Sequence, residues 1–276
     1  MDSKDLATRL PAPAKPETAV IPRIPQEIID EILDHLATDS AAPSPSLRSC
    51  SLVSKSWVLP CRRHLFHTVN FSLWNMDRWI KVFPAPEEGP FHHVRELRAR
   101  IGGFNRVPEG FFEVTPWFMS VEKVSLLGSG GLPRQVPSFW GLPPSVTSLT
   151  IETDVLTLVE VRDLLARLPN LNNLSLSGHL AAGGAPLGIG TILRGKFGGR
   201  LRILKGPAHK DITNMLLEIP TGLRFTEVEI RCKRKFLLST LRLVEACSET
   251  LVKLSYTVSA YGEIHSFQSG WFQRSH

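Results

Sequence analysis

Apolar residues recur along the chain in two rhythms. Between residues 24 and 36, Ile24, Ile28, Ile29, Ile32, Leu33 and Leu36 stand four, one, three, one and three positions apart, which is one stripe of an amphipathic helix. Pro25 sits where a first-turn proline is tolerated, and Gln26, Glu27, Asp30, Glu31 and Asp34 supply the polar face. Pro43 and Pro45 in ATDSAAPSPS forbid continuation, and a second helical spacing begins at Leu47, running through Cys50, Val53, Trp57, Cys61 and Leu65. Pro60 is expected to divide this second segment into two short helices. Leu52 falls beside the inward stripe, so the helical unit carries more apolar surface than it can bury alone.

After residue 90 the rhythm changes to period two. VRELRA, VEKVSL, VTSLTI, LNNLSL, LRILKG, TEVEI and LVKLSY are strand-like, with central residues Leu97, Val124, Leu149, Leu174, Leu204, Val228 and Leu254 at intervals of 27, 25, 25, 30, 24 and 26. Helical spacings lie between some of them, clearest in TLVEVRDLLARLPN, DITNMLLEIP and RKFLLSTLRLVEAC. Alternating strands and helices predict an α/β fold with a parallel sheet. A doubly wound sheet suits that alternation, whereas the near-constant period favours strand-helix units stacked in a solenoid, none able to bury its apolar face alone.

If the central residues point inward, their neighbours point outward. One outward column is Glu96, Lys123, Ser148, Asn173, Ile203, Glu227 and Lys253; the other is Arg98, Ser125, Thr150, Ser175, Lys205, Glu229 and Ser255. From these, Arg98, Lys123, Asn173, Lys205, Glu227 and Glu229 are the candidate target-binding residues, making contacts built from hydrogen bonds and charge. The Gly-rich stretch 178–199 and the tail of the chain are alternative places for that site.

Composition divides the remainder. Residues 1–20, with three prolines among Ala, Lys and Glu, cannot bury enough apolar surface to order and read as a disordered tail. Residues 21–70 form the helical domain, 71–93 a linker whose Trp74, Trp79, Ile80 and Phe83 cap the first repeat, and 94–276 about seven repeats. No window approaches 18 uninterrupted apolar residues, and the N-terminus lacks the apolar stretch of a signal peptide, so a cytoplasmic or nuclear protein without a membrane partner is expected. The net charge of +6 is spread too thinly to mark a nucleic-acid partner, RCKRK at 231–235 being the one dense cluster.

The run IPRIPQEIIDEILDHL, a break, then LRSCSLVSKSWVLPCRRHLF resembles an F-box, with Ile24-Pro25, Ile28, Ile29, Ile32, Leu33, Leu36, Leu47, Leu52-Val53-Ser54, Trp57 and Leu65-Phe66 at the matching positions. Ile24 stands where the family pattern has Leu, Ser54 where it has Cys, and the link between helices is longer, as in F-box proteins of mushroom-forming fungi. The likeness implies that Pro25, Ile28, Ile29, Leu33, Leu52, Val53 and Trp57 dock on the Skp adaptor of an SCF ubiquitin ligase, and through it on cullin. The later units resemble the irregular leucine-rich repeats found behind F-boxes, although they lack the Asn or Cys that usually follows the strand consensus.

Other chemistry is thinner. Cys50, Cys61, His64 and His67 have side chains that bind zinc, but two of them fall on the apolar stripe and no paired motif completes a site. GIGTILRG lacks the Lys-Ser/Thr ending of a phosphate loop. RCKRK reads as a solvated turn after the Val228 strand. The expected protein is therefore a non-catalytic substrate receptor with no cofactor and no metal, holding an unknown protein target beside a ubiquitin-conjugating enzyme. The alternatives are a repeat scaffold unattached to a ligase and an enzyme with an unrecognised site.

Overall fold

The computed structural model describes residues 24–38, 45–72, 75–100, 114–128, 142–153, 156–178, 180–181, 197–204, 209–219, 222–260 and 263–268. The expected tail, Trp74, Lys205 and residues 182–196 of the Gly-rich stretch lie outside them.

Three helices open the chain: α1 (Gln26–Thr38), α2 (Pro45–Cys50) and α3 (Lys55–Leu65). Ile29, Leu33, Leu47 and Cys61 make a small core of their own, with Leu36, Cys50, Trp57 and Leu65 packed at its edge. The break falls at residues 51–54, not at Pro60, which is buried inside α3. Serine chemistry accounts for it: the Ser51 hydroxyl donates to the Arg48 carbonyl at 2.6 Å, the amides of Leu52 and Val53 close turns onto the carbonyls of Ser49 and Cys50, and Ser54 takes the extended conformation of a helix-capping residue. Val53, expected on the inward stripe, is thereby carried outward.

The remainder is built on an open nine-stranded sheet. Its strands are β1 (Thr68–Phe71), β2 (Glu96–Arg100), β3 (Lys123–Gly128), β4 (Ser148–Thr153), β6 (Asn173–Ser177), β8 (Gly198–Leu204), β9 (Arg224–Lys233), β10 (Lys253–Ala260) and β11 (Glu263–Gln268), neighbours in that order. The first eight run parallel; β11 is antiparallel at the edge. A two-strand ladder of β5 (Leu156–Thr157) and β7 (Leu180–Ala181) stands apart. Helix α4 (Met76–Val82) follows β1, and α5 (Leu158–Ala166), α6 (His209–Leu217) and α7 (Leu237–Ala246) lie between later strands.

Register follows the alternation. Val69, Leu97, Val124, Leu149, Leu174, Leu201, Val228 and Leu254 stand side by side across the parallel strands. The residues two further on, Ala99, Leu126, Ile151, Leu176, Ile203 and Ile230, join the same buried core as Val161, Leu164, Leu165, Met215, Leu216 and Leu243 of the helices. One carbonyl before each of four strands, on His67, Arg95, Glu122 and Thr147, accepts two consecutive amides of the next strand's approach, as in Arg95 and Glu96 to His67 at 2.9 Å each. The same turn therefore recurs from unit to unit.

Two sequence expectations need correction. The sheet begins with β1, inside the stretch taken as the end of the helical domain and the start of the linker, because Val69 and Phe71 supply an inward pair two residues apart. In LRILKG the residue in register with Leu174 and Val228 is Leu201, where the sequence reading took Leu204, so the intervals are 27 and 27 in place of 30 and 24. The extra room on β9 comes from a bulge, where Gly199 faces Phe225 and Arg200 faces Glu227. Gly199 adopts φ +70°, and a Cβ there would run into the Asn172 carbonyl.

The helical unit meets the sheet through aromatic rings. Phe91 packs against Trp79, Phe83, Trp117 and Phe118 at centroid separations of 5.9, 6.0, 5.2 and 5.1 Å, and Trp79 reaches Phe66 at the end of α3 at 6.1 Å. Edge-to-face geometry at these distances adds to the area buried. Beside this cluster, burial and then the charges of His92, Arg63, Arg62 and Arg95 push His93 below its ordinary pKa of 6.5.

Two outcomes follow for stability. Gly199→Ala should lower the unfolding free energy by more than about 2 kcal/mol, since it combines left-handed strain with a backbone clash; Gly222→Ala, at φ +72° with nothing within 4 Å of its Cβ, should cost about 1 kcal/mol by strain alone. Urea titration of the two variants separates these cases. Because His93 holds its proton less well folded than unfolded, its own contribution to stability is fully present above pH 6.5 and is lost as pH falls below it. His93→Gln should flatten the decline between about pH 7 and about pH 5 in the same titration.

Candidate docking surfaces

The first surface lies on the helical unit. Along α1, Ile29 and Leu33 turn into the core at 3% and 0% exposure, so they support the surface expected of them from below. The outer ridge is Ile24, Ile28 and Ile32, four residues apart and all exposed, beginning beside exposed Pro25. At the turn between α2 and α3, Leu52 is 86% and Val53 66% exposed. Trp57 is half-buried against the core and belongs as much to the unit's packing as to its surface. These apolar side chains remain in water on a unit whose own core lies elsewhere.

The residues weighed for zinc point elsewhere. Cys61 is in the core, its thiol pushed above the ordinary range by burial and then by Cys50, which disfavours the thiolate a metal needs. His64 Nε2 lies 3.0 Å from Asp34 Oδ1. Among the described residues no group of three His, Cys, Asp or Glu side chains stands close enough to hold a metal ion. No helix among them is long and apolar enough to cross a membrane. At the other end of the sheet, burial pushes the Cys247 thiol up to about 11, and the Tyr256 phenol, accepting from Cys232 Sγ at 3.6 Å, is raised by burial and by that thiol. Neither group is an activated nucleophile.

The second surface is the sheet face turned away from the helices. Its middle carries short polar side chains, with Ser125, Thr150 and Ser175 in one row beside exposed Lys123 and Asn173. Towards β2, Arg98 Nε donates to Glu96 Oε1 at 2.7 Å. Towards β10 the corrected register removes Ile203, which is buried, and puts Arg200 and Arg202 on the face; Arg202 takes the place expected of Lys205. Arg202 Nε donates to Glu229 Oε2 at 2.8 Å, with Arg200 at 3.7 Å and Arg231 at 3.4 Å from the same carboxylate, and Arg200 Nε is 3.5 Å from Glu227. Glu229 is only 16% exposed. Only the end of RCKRK is a turn: β9 continues through Lys233, with Cys232 inward and Arg231 and Lys233 outward, and a 3-10 turn follows over Arg234–Phe236.

Sequence reasoning thus named Glu227 and Glu229 but missed Arg200, Arg202 and Arg231. Choosing Leu201 as the inward residue, on the grounds of equal spacing, would have found the first two. The chain matches no protein-family model and no curated protein sequence.

Glu229 lies within 4 Å of three guanidinium groups, so Glu229→Gln should destabilise by about 1 kcal/mol, the scale of a networked and partly screened ion pair. The loss should shrink in about 0.5 M sodium chloride, measured by thermal melting at both salt levels.

Proposed function

We propose that the chain is an F-box protein with irregular leucine-rich repeats, acting as the substrate-receptor subunit of an SCF-type ubiquitin ligase. The helical unit would dock on the Skp adaptor, and through it on cullin, while the repeat face takes the protein target. The observation that carries this reading is the bare pair Leu52 and Val53, held at a tight turn on a helical unit whose own core is already filled by Ile29, Leu33, Leu47 and Cys61. An anchor of this kind, apolar and protruding, dominates the energetics of small helical interfaces.

Two further features favour stacked repeats over a doubly wound sheet. Strands follow one another in chain order with no reversal, and burial alternates along them, as in β6 and β2, leaving one face in water. A doubly wound parallel sheet is covered on both faces and its strands read as continuous apolar runs. The receptor performs no chemistry in this reading; it raises the local concentration of target lysines at a conjugating enzyme held elsewhere in the assembly.

Leu52→Asp with Val53→Asp places charge on the docking tip without touching the core of the helical unit. Co-expressed Skp adaptor should co-purify with the parent chain and drop to less than about a tenth with the double variant, with circular dichroism unchanged. Equal recovery from both would remove the ligase and leave a repeat scaffold.

A further inference from the structure

The open face is electrically lopsided. Strands β2 to β6 balance their outward charges closely, whereas β8, β9 and β10 present Arg200, Arg202, Arg231, Lys233 and Lys253 against two carboxylates. Those carboxylates, Glu227 and Glu229, are both paired with arginines of β8, and Glu229 also with Arg231 of its own strand. Lys233 and Lys253 are exposed and take no part in that network. The arginines are held in place by their shared carboxylate, so their remaining donors are presented outward with little ordering left to do on binding.

We infer that the face over β8, β9 and β10 binds an acidic, extended peptide segment of the protein target, running across the strands towards Asn173 and Ser175. Naming this class rests on the receptor reading above. From β6 to β10 is three strand spacings, roughly 14 Å, which four or five extended residues cover. Aspartate or glutamate side chains spaced along such a segment meet the five cations, while the amide and hydroxyl of Asn173 and Ser175 suit its backbone. A nucleic acid fits less well: its unbroken phosphate charge would pass over Glu227 and Glu229, and its bases find no outward aromatic residue on these strands.

The test uses the full chain and a fluorescent ten-residue Glu-Ser peptide, with its Lys-Ser counterpart and a single-stranded oligonucleotide as comparisons, read by anisotropy at low and moderate salt. The acidic peptide should bind, weaken about tenfold or more between the two salt levels, and weaken about tenfold again in Lys233→Glu with Lys253→Glu. Lys210→Glu, at an exposed lysine of α6 rather than on the sheet face, should change binding by less than about twofold. No binding of the acidic peptide, equal binding of the basic one, tighter binding of the oligonucleotide, or indifference to the double lysine variant each overturns the inference. Adaptor co-purification with the same proteins keeps the two readings apart: adaptor retained without peptide binding rejects this site alone, and peptide bound without adaptor rejects the ligase alone.

Discussion

The structure rests on one constraint: a short parallel strand with a single apolar face cannot bury that face by itself. Parallel strands place inward pairs, such as Leu149 and Ile151 or Leu174 and Leu176, next to the equivalent pair of a neighbour, and helix residues such as Val161, Leu164 and Leu243 join the same core. Burying a side chain of this size contributes about 1.5 to 3 kcal/mol, but only where the adjacent unit is already in place. The parallel sheet is therefore stable as a whole and its strands weak alone. The paired amides accepted by His67, Arg95, Glu122 and Thr147 fix where each strand starts, which keeps the inward columns in line.

The same alignment organises the outward face. Residues some 27 positions apart in the chain become neighbours across the ladder, so Arg202 and Glu229, separated in sequence, lie 2.8 Å apart. A slip of one residue on β8 would send Arg200 and Arg202 into the core and expose Leu201 and Ile203. The bulge at Gly199 is what reconciles the strand's entry with this register, and it needs a residue that tolerates left-handed backbone close to Asn172. Charge pattern and core packing are in this sense one feature viewed from two sides.

The helical unit obeys a different rule. Four side chains suffice for its core, and the aromatic rings from Phe66 to Phe118 tie it to the first strands. Outside it stand the isoleucine ridge beginning at Ile24, the Leu52-Val53 tip and Leu59 of α3. Their exposure follows from geometry: on a helix of 3.6 residues per turn, two apolar stripes one residue apart cannot both face a core formed by two short helices.

From sequence alone the division into a helical unit and a set of strand-helix units was legible, because periods of 3.6 and 2 are properties of the local backbone. So were the parallel sheet and its strand order, the three later helices, and the surplus of Leu52. Local pattern did not settle which of two leucines in LRILKG turns inward, that Val69 and Phe71 already form a strand, where the second helix breaks, or that Ile29 and Leu33 serve the core while Ile28 stays outside. In each case the sequence offers two apolar candidates of similar worth, and the choice falls to contacts with distant residues: the neighbouring strand for Leu201, β2 for Val69, Leu47 and Cys61 for Leu33. The cluster of arginines around Glu229 depends on that choice, since charges on β8 and β9 meet only after the register of both strands has been set by burial on the opposite face.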